Sequence, residues 1–207
     1  MKGKIIAIEG GACVGKSTLS ERLVKQLELD GYPVVLVSSD DVELIMDKIR
    51  TSVNAKEPLG SSTTLLLNLT SLSILLEESV NKHLQDGKIV IFDSYFDRLR
   101  VHLGINSSFG LRHFNTVFSK LFRKYKPSLS ILLDVDIDTG EKLVNREYIL
   151  YSEHTREINR LYRMLFSSRM NSRLSTSRII DANRDVEIVY GDLYREVSAY
   201  LKRLSTF

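Results

Sequence analysis

The sequence predicts an α/β fold in three layers, a five-stranded parallel sheet with helices on both faces. Three observations carry that prediction. Short runs of β-branched and other apolar residues recur along the chain, longer stretches of helical period separate them, and the first run passes directly into a glycine-rich turn. The runs are continuous rather than alternating, as strands covered on both faces should be. Strand, helix and strand in succession imply right-handed crossovers and parallel pairing.

The strands are expected at 5–8, 34–37, 89–92, 129–133 and 178–180. Helices are expected near 16–29, 62–86, 95–103, 110–125, 138–146, 151–168 and 184–204. Gly31 and Gly87 each stand between a helix and the next strand, where a left-handed residue without Cβ is wanted. In the stretch from 151 to 168, Ile158, Leu161, Tyr162, Leu165 and Phe166 share one face. Arg156, Arg160 and Arg163 gather on the opposite one. Ligands of such sheets bind at the carboxyl ends of the strands, so sites should follow Ile8, Val37, Phe92 and Leu133.

At 207 residues the chain reads as one domain, 1–207, able to bury a proper core. Hydrophobic residues make up 43% and charged ones 27%, an ordinary balance for a globular protein. The net charge of +3 is too small to demand a nucleic-acid polymer or a membrane surface. Apolar stretches stop short of the ~20 residues that a membrane helix needs. Met1-Lys2-Gly3-Lys4 enters a strand directly, which leaves no room for a signal peptide. One cysteine excludes an internal disulfide and fits a reducing cytoplasm. Four scattered His and one Cys do not make a zinc site.

Gly10, Gly15, Lys16 and Ser17 fit G-x-x-x-x-G-K-[ST] in its proper context, after a strand and opening a helix. This makes the expected fold that of a P-loop NTPase. Glycines let the backbone curl so that the N–H groups from Gly10 through Gly11, Ala12, Cys13, Val14 and Gly15 to Ser17 point at an anion near the positive end of a helix dipole. Lys16 then reaches the β- and γ-phosphates of ATP, and the Ser17 hydroxyl coordinates Mg²⁺. Thr18 is a further phosphate contact. Cys13, near a helix N-terminus, reads as a reactive thiol or as a small residue filling space.

Guanine selection is not foreseen: neither N-K-x-D nor D-x-x-G occurs, and an L-S-G-G-Q signature is missing too. A kinase of small acceptors fits best. In "KIVIFDSYFDR", Asp93 closes a buried strand where a carboxylate would meet Mg²⁺ or the attacking oxygen, although it also stands where a helix N-cap would. Arg98, five residues on, is placed to stabilise the transferring phosphoryl group, and Tyr95 is placed to stack on a base or to join the core. Arg146 and Arg156 are the first choices for phosphate contacts in a basic stretch that runs to Arg178. Asn183 and Arg184, in "DANRD", would form a loop against adenine. Asp40 or Asp41 would act as base if the acceptor were a nucleoside hydroxyl.

With those residues assembled, the chain resembles the thymidylate kinase-like P-loop kinases of the nucleoside-monophosphate kinase group. "IAIEGGACVGKSTLSERL" is similar to the family's I-x-x-E-G-x-x-G-x-G-K-S/T-T opening, and "GKIVIFDSY" to G-x-x-V-I-x-D-R-Y, whose Asp is here Asp93. "KPSLSILLDVDIDTGEKL" and "IIDANRDVEIV" resemble two later segments. The resemblance implies a lid near 142–160, Mg²⁺ dependence, a nucleoside monophosphate such as thymidylate as acceptor, and often a homodimer. Departures fall on the acceptor side. The family's R-E-P-G-G aligns with residues 38–42, without its Arg or Glu, and the Arg of D-R-Y is Ser94. The Arg of a third-helix A-D-R motif falls within 70–73, the lid lacks D-R-x-E, and Arg50 does match an acceptor Arg. A deoxynucleoside kinase and a nucleotide-binding regulatory protein without phosphotransfer are the rival readings.

Overall fold

The computed structural model describes residues 3–12, 14–55, 59–106, 120, 122–136, 152–170 and 176–205. Its five strands are β1 (Lys4–Gly10), β2 (Val34–Ser38), β3 (Ile89–Asp93), β4 (Leu129–Asp134) and β5 (Ser177–Asp181). They pair in parallel, as expected, and β3 lies beside β1 as foreseen; the full order is β2-β3-β1-β4-β5. The register matters for the site. Ser38 pairs with Asp93, Asp93 with Ile8, and Gly10 with Leu133, so β1 reaches two residues beyond β3 at their shared carboxyl edge.

The helices are α1 (Lys16–Leu29), α2 (Ser39–Ser52), α3 (Ser61–Leu75), α4 (Asn81–Gln85), α5 (Phe96–Asn106), α6 (Ser152–Met170) and α7 (Val186–Ser205). A π-helical segment, Leu76–Val80, joins α3 to α4 in one rod, which matches the single helix expected at 62–86. Its wide turn puts Leu76 and Val80 entirely in the core. Gly31 and Gly87 have φ of 84° and 77°, in line with their expected role as helix stops. The helix α2 was not foreseen. Of the helix expected at 110–125, residues 110–119 and 121 lie outside the described residues, and Arg123–Tyr125 form a single 3₁₀ turn. The helix expected at 138–146 lies wholly outside them.

Alternate residues of each strand face opposite layers. Ile5, Ala7, Val90 and Phe92 pack beneath α3, the π segment and α5. Ile6, Ile8, Ile91, Ile131 and Leu133 pack beneath α1, through Leu19, Leu23 and Leu27, and beneath α7, through Leu193 and Val197. Leu132 turns the other way and joins Val101 of α5 to Tyr162 and Phe166 of α6. Thus the apolar face expected on 151–168 is the face that docks α6 onto the sheet. Among the described residues no helix is long and apolar enough to cross a membrane.

Candidate active site at the carboxyl edge of the sheet

The glycine-rich turn leaves β1 and opens α1. Gly15 is the N-cap residue, with φ 79° and ψ 16°, a left-handed conformation that glycine adopts without penalty. Among the described residues no side chain caps the helix there, and its first turn holds no acidic residue. A helix start of this kind, at the positive end of the helix dipole, favours an anion. Lys16 folds back across the turn and donates to the Gly11 carbonyl at 2.5 Å. Ser17 and Thr18 are exposed at the mouth, as is Ala12, whereas Gly11 is buried and Val14 packs into the core below α1. Cys13 lies outside the described residues.

Asp93 ends β3 beside this turn. It is 4% exposed, and its Oδ1 is buried without a hydrogen-bond partner. A carboxylate oxygen in that condition is costly unless something meets it. The alternative role of Asp93 as N-cap of the following helix is overturned, because another carboxylate does that work. Glu9, 1% exposed at the end of β1, accepts from the amides of Tyr95 at 3.1 Å and Asp97 at 3.2 Å. Burial, with the nearby Asp97 charge adding to it, pushes the Glu9 carboxyl up to about 8. The Tyr162 hydroxyl donates to its other oxygen at 3.4 Å. Between Asp93 and the capped helix, Ser94 adopts φ 64°, a strained value for a residue with a side chain. Its amide donates to the Ile8 carbonyl at 2.9 Å, which pins the turn to β1.

Sequence reasoning passed over Glu9, although it stands inside the quoted motif. Its amide partners lie 86 and 88 residues away, so no local spacing announces them. Asp97 was passed over as well. It is buried beneath Arg169, which meets it with two bonds of 2.5 Å, and Arg100, at 3.0 Å.

On the acceptor side, Ser38 and Asp41 make a capping box for α2: the Asp41 carboxylate accepts from the Ser38 amide at 2.7 Å, and Ser38 Oγ accepts from the Asp40 amide at 3.2 Å. The signal was legible as Ser-x-x-Asp ahead of Val42 and Ile45. Asp40 stays exposed. Arg98 leans across to Glu43 of α2 at 3.1 Å, so the two join the N-terminal halves of α2 and α5. Arg50 pairs with Asp47 at 3.5 Å near the far end of α2 and lines an open depression with Thr51, Asn54 and Ala55. Tyr95 requires a correction. It is 3% exposed, its ring lies 4.0 Å from that of Phe92 and 3.8 Å from that of Phe96, and its hydroxyl donates to the Tyr125 carbonyl. It is a core residue, with no face left to stack on a base.

The basic stripe on α6 is divided in its duties. Arg163 is bound to Asp134 at the end of β4, Nε reaching both oxygens at 2.7 and 2.9 Å, and Nη2 donates to the Val135 carbonyl. Arg160 pairs with Glu157. Arg156 is exposed one turn before Asn159, whose side chain meets the phosphate turn at Gly11. Arg146 lies outside the described residues, as does most of the segment 142–160 up to Tyr151. After β5, Asn183 accepts from the Asp136 amide at 2.8 Å and donates to Asp181 at 2.6 Å, while Arg184 holds Asp192 at 2.6 Å. Both side chains brace the loop in which they stand.

A glycine-rich turn ending at an uncapped helix, in a parallel sheet with a buried carboxylate on the neighbouring strand, defines a P-loop phosphotransferase. The family model for thymidylate kinase matches residues 8–192. The thymidylate kinase of Ruegeria pomeroyi is 27% identical over 97% of each chain, and that of Acinetobacter baylyi is 26% identical over 94% of this chain and 98% of its own. That of Dehalococcoides mccartyi is 35% identical over 63% of this chain and 64% of its own. The chain belongs to the thymidylate kinase family, within the nucleoside-monophosphate kinases.

Proposed function

We propose that the protein moves the γ-phosphoryl group of ATP to a deoxynucleoside monophosphate, with thymidylate, the acceptor named for its relatives, as first candidate. The observation that carries this reading is the uncapped start of α1, with Lys16 beside it and the unpartnered Asp93 oxygen on the adjacent strand. The donor set fits Mg·ATP: main-chain amides and an ammonium for phosphate, a hydroxyl and a carboxylate for the ion. Ser17 and Asp93 would hold the magnesium, which when bound offsets charge between the β- and γ-phosphates.

Lys16 would exchange its bond to Gly11 for the donor phosphates, with Gly10 to Thr18 supplying the cradle. Asp93 orients the attacking oxygen, and the turn behind it is held by Glu9. Arg98, Arg146 and Arg156 neutralise charge on the transferring group, so catalysis is positioning and electrostatics. Asn183 and Arg184 keep a braced loop against adenine. Asp40, Asp41 and Arg50 line the acceptor side. We assign the whole chain to one domain working in the cytoplasm on small molecules, with a lid near 142–160. A homodimer is supported by α3, which keeps Leu66 and Ile74 exposed although the rest of the helix is rich in leucine.

A nucleoside acceptor is the second reading, favoured by one observation. Arg50, Arg98, Arg100 and Arg169 each face a carboxylate of the chain itself. Asp40 would then serve as base. Incubation with Mg·ATP and a panel of nucleosides and monophosphates, read as ADP, separates the readings. Thymidylate-dependent ADP supports the first and nucleoside-dependent ADP the second. ATP binding without acceptor-stimulated ADP would leave a nucleotide-binding regulatory protein and end both.

A further inference from the structure

Among the described residues, the helix α6 meets the phosphate turn through the side chain of Asn159. Asn159 is 5% exposed, and its Nδ2 donates to the Val135 carbonyl at 3.3 Å. Its Oδ1 occupies the space beside Gly11: a Cβ on Gly11 would lie 2.3 Å from that oxygen and 3.3 Å from the carboxamide carbon. The motif leaves the residue at position 11 unspecified. Here it has no side chain, and the room thus made is filled from α6.

The same peptide carries a second duty. The Gly11 carbonyl receives the Lys16 ammonium, so Lys16 and Asn159 bear on one residue. The neighbours of Asn159 keep α6 in register with it. Tyr162 donates to Glu9, two residues before Gly11, and Arg163 grips Asp134 and shares the Val135 carbonyl with Asn159. Asn159, Tyr162 and Arg163 of α6 therefore bear on residues 9–11 and 134–135, at and just beyond the carboxyl ends of the paired strands β1 and β4.

We infer that Asn159 is a positioning residue of the donor site, seated in the space that Gly11 leaves open, and that this pair sets the curvature of the turn that receives the triphosphate. The inference rests on the reading of that turn as an ATP site. It makes Gly11 and Asn159 a coupled pair: a methyl group at 11 is harmful only while the carboxamide is present.

The test is a double-mutant cycle with Gly11→Ala, Asn159→Ala and the double variant, read as Mg·ATP affinity at a temperature where all four proteins are folded. Gly11→Ala should weaken binding about tenfold, as overpacking of a tight site does. The double variant should bind no worse than Asn159→Ala. Losses that simply multiply in the double variant, or Gly11→Ala binding like the parent, would overturn the inference. If Gly11→Ala does not fold, Asn159→Ala decides alone: KM for ATP should rise at least about threefold with KM for the acceptor unchanged. An unchanged KM for ATP refutes it. A parent that binds no Mg·ATP sinks the donor reading together with the inference, whereas a binding parent with multiplying losses sinks the inference alone.

Discussion

The loop after β1 presents main chain, whereas the loops after β2 and β3 present side chains. In the first, a left-handed Gly15 leads into α1, and among the described residues no side chain caps the helix. On the other edge Arg98 faces Glu43, Arg169 and Arg100 face Asp97, and Asp41 is bound into a helix cap. Recognition by main chain needs only a contiguous stretch that curls correctly. Recognition by side chains needs groups from separate helices, each of which also finds partners within the protein. On the proposed reading, the donor edge would give up one lysine bond to receive an anion, and the acceptor edge would have to exchange several ion pairs.

The largest test of this contrast is Lys16→Ala. Removing the ammonium should cost about 10²- to 10³-fold in turnover and weaken Mg·ATP visibly in titration. Binding as tight as the parent's would show that the donor edge takes no triphosphate. Next comes Asp93→Asn. Turnover should fall about a hundredfold while the thermal midpoint hardly moves, because the buried oxygen has no partner to lose. A large drop in the midpoint would make Asp93 a structural residue instead.

Glu9 joins the two edges, lying in β1 and holding the turn after β3. Its carboxyl is raised from 4.5 to about 8 in the folded chain, chiefly by burial. Between those values the folded state binds more protons than the unfolded one, so stability falls as pH rises through this window and the contribution is fully present below 4.5. Glu9→Gln keeps an oxygen for the amides of Tyr95 and Asp97 and removes the titration. Thermal midpoints of parent and variant should converge or cross in favour of the variant as pH goes from 5 to 9. A constant gap would show that Glu9 titrates normally.

The smallest effect sharpens the acceptor side. Arg98 and Glu43 have side chains 39% and 49% exposed, so their pair is worth no more than about 1 kcal/mol. Glu43→Gln should free Arg98 and lower KM for a monophosphate by about two- to fivefold, leaving KM for an uncharged nucleoside unchanged. Equal KM values in parent and variant would remove Arg98 from the acceptor site.

The five strands were legible because each is a short apolar run; β1, β3 and β4 are buried on both faces, and the edge strands β2 and β5 are partly buried. The docking face of α6 was legible from helical period alone. What escaped was nonlocal or doubly readable. Asp40 and Asp41 were weighed as bases, and the helix they open went unnoticed although Ser38 and Asp41 spell its cap. Tyr95 follows a strand at a ligand-binding edge, yet Phe92, Phe96 and the Tyr125 carbonyl claim every side of it. Arg163 looked free for phosphate until Asp134 was brought beside it.

Sequence alone settles the phosphate turn and the strands and helices around it, because backbone curl and hydrophobic period are local properties that contiguous residues specify. Folding in three dimensions assigns the carboxylates: Glu9 to cap, Asp93 to keep one buried oxygen without a hydrogen bond among the described residues, Asp97 to hold two arginines. The reason is physical. A charge's role follows from its burial and from whichever opposite charges or amides lie within about 3 Å, and those come from residues tens of positions away.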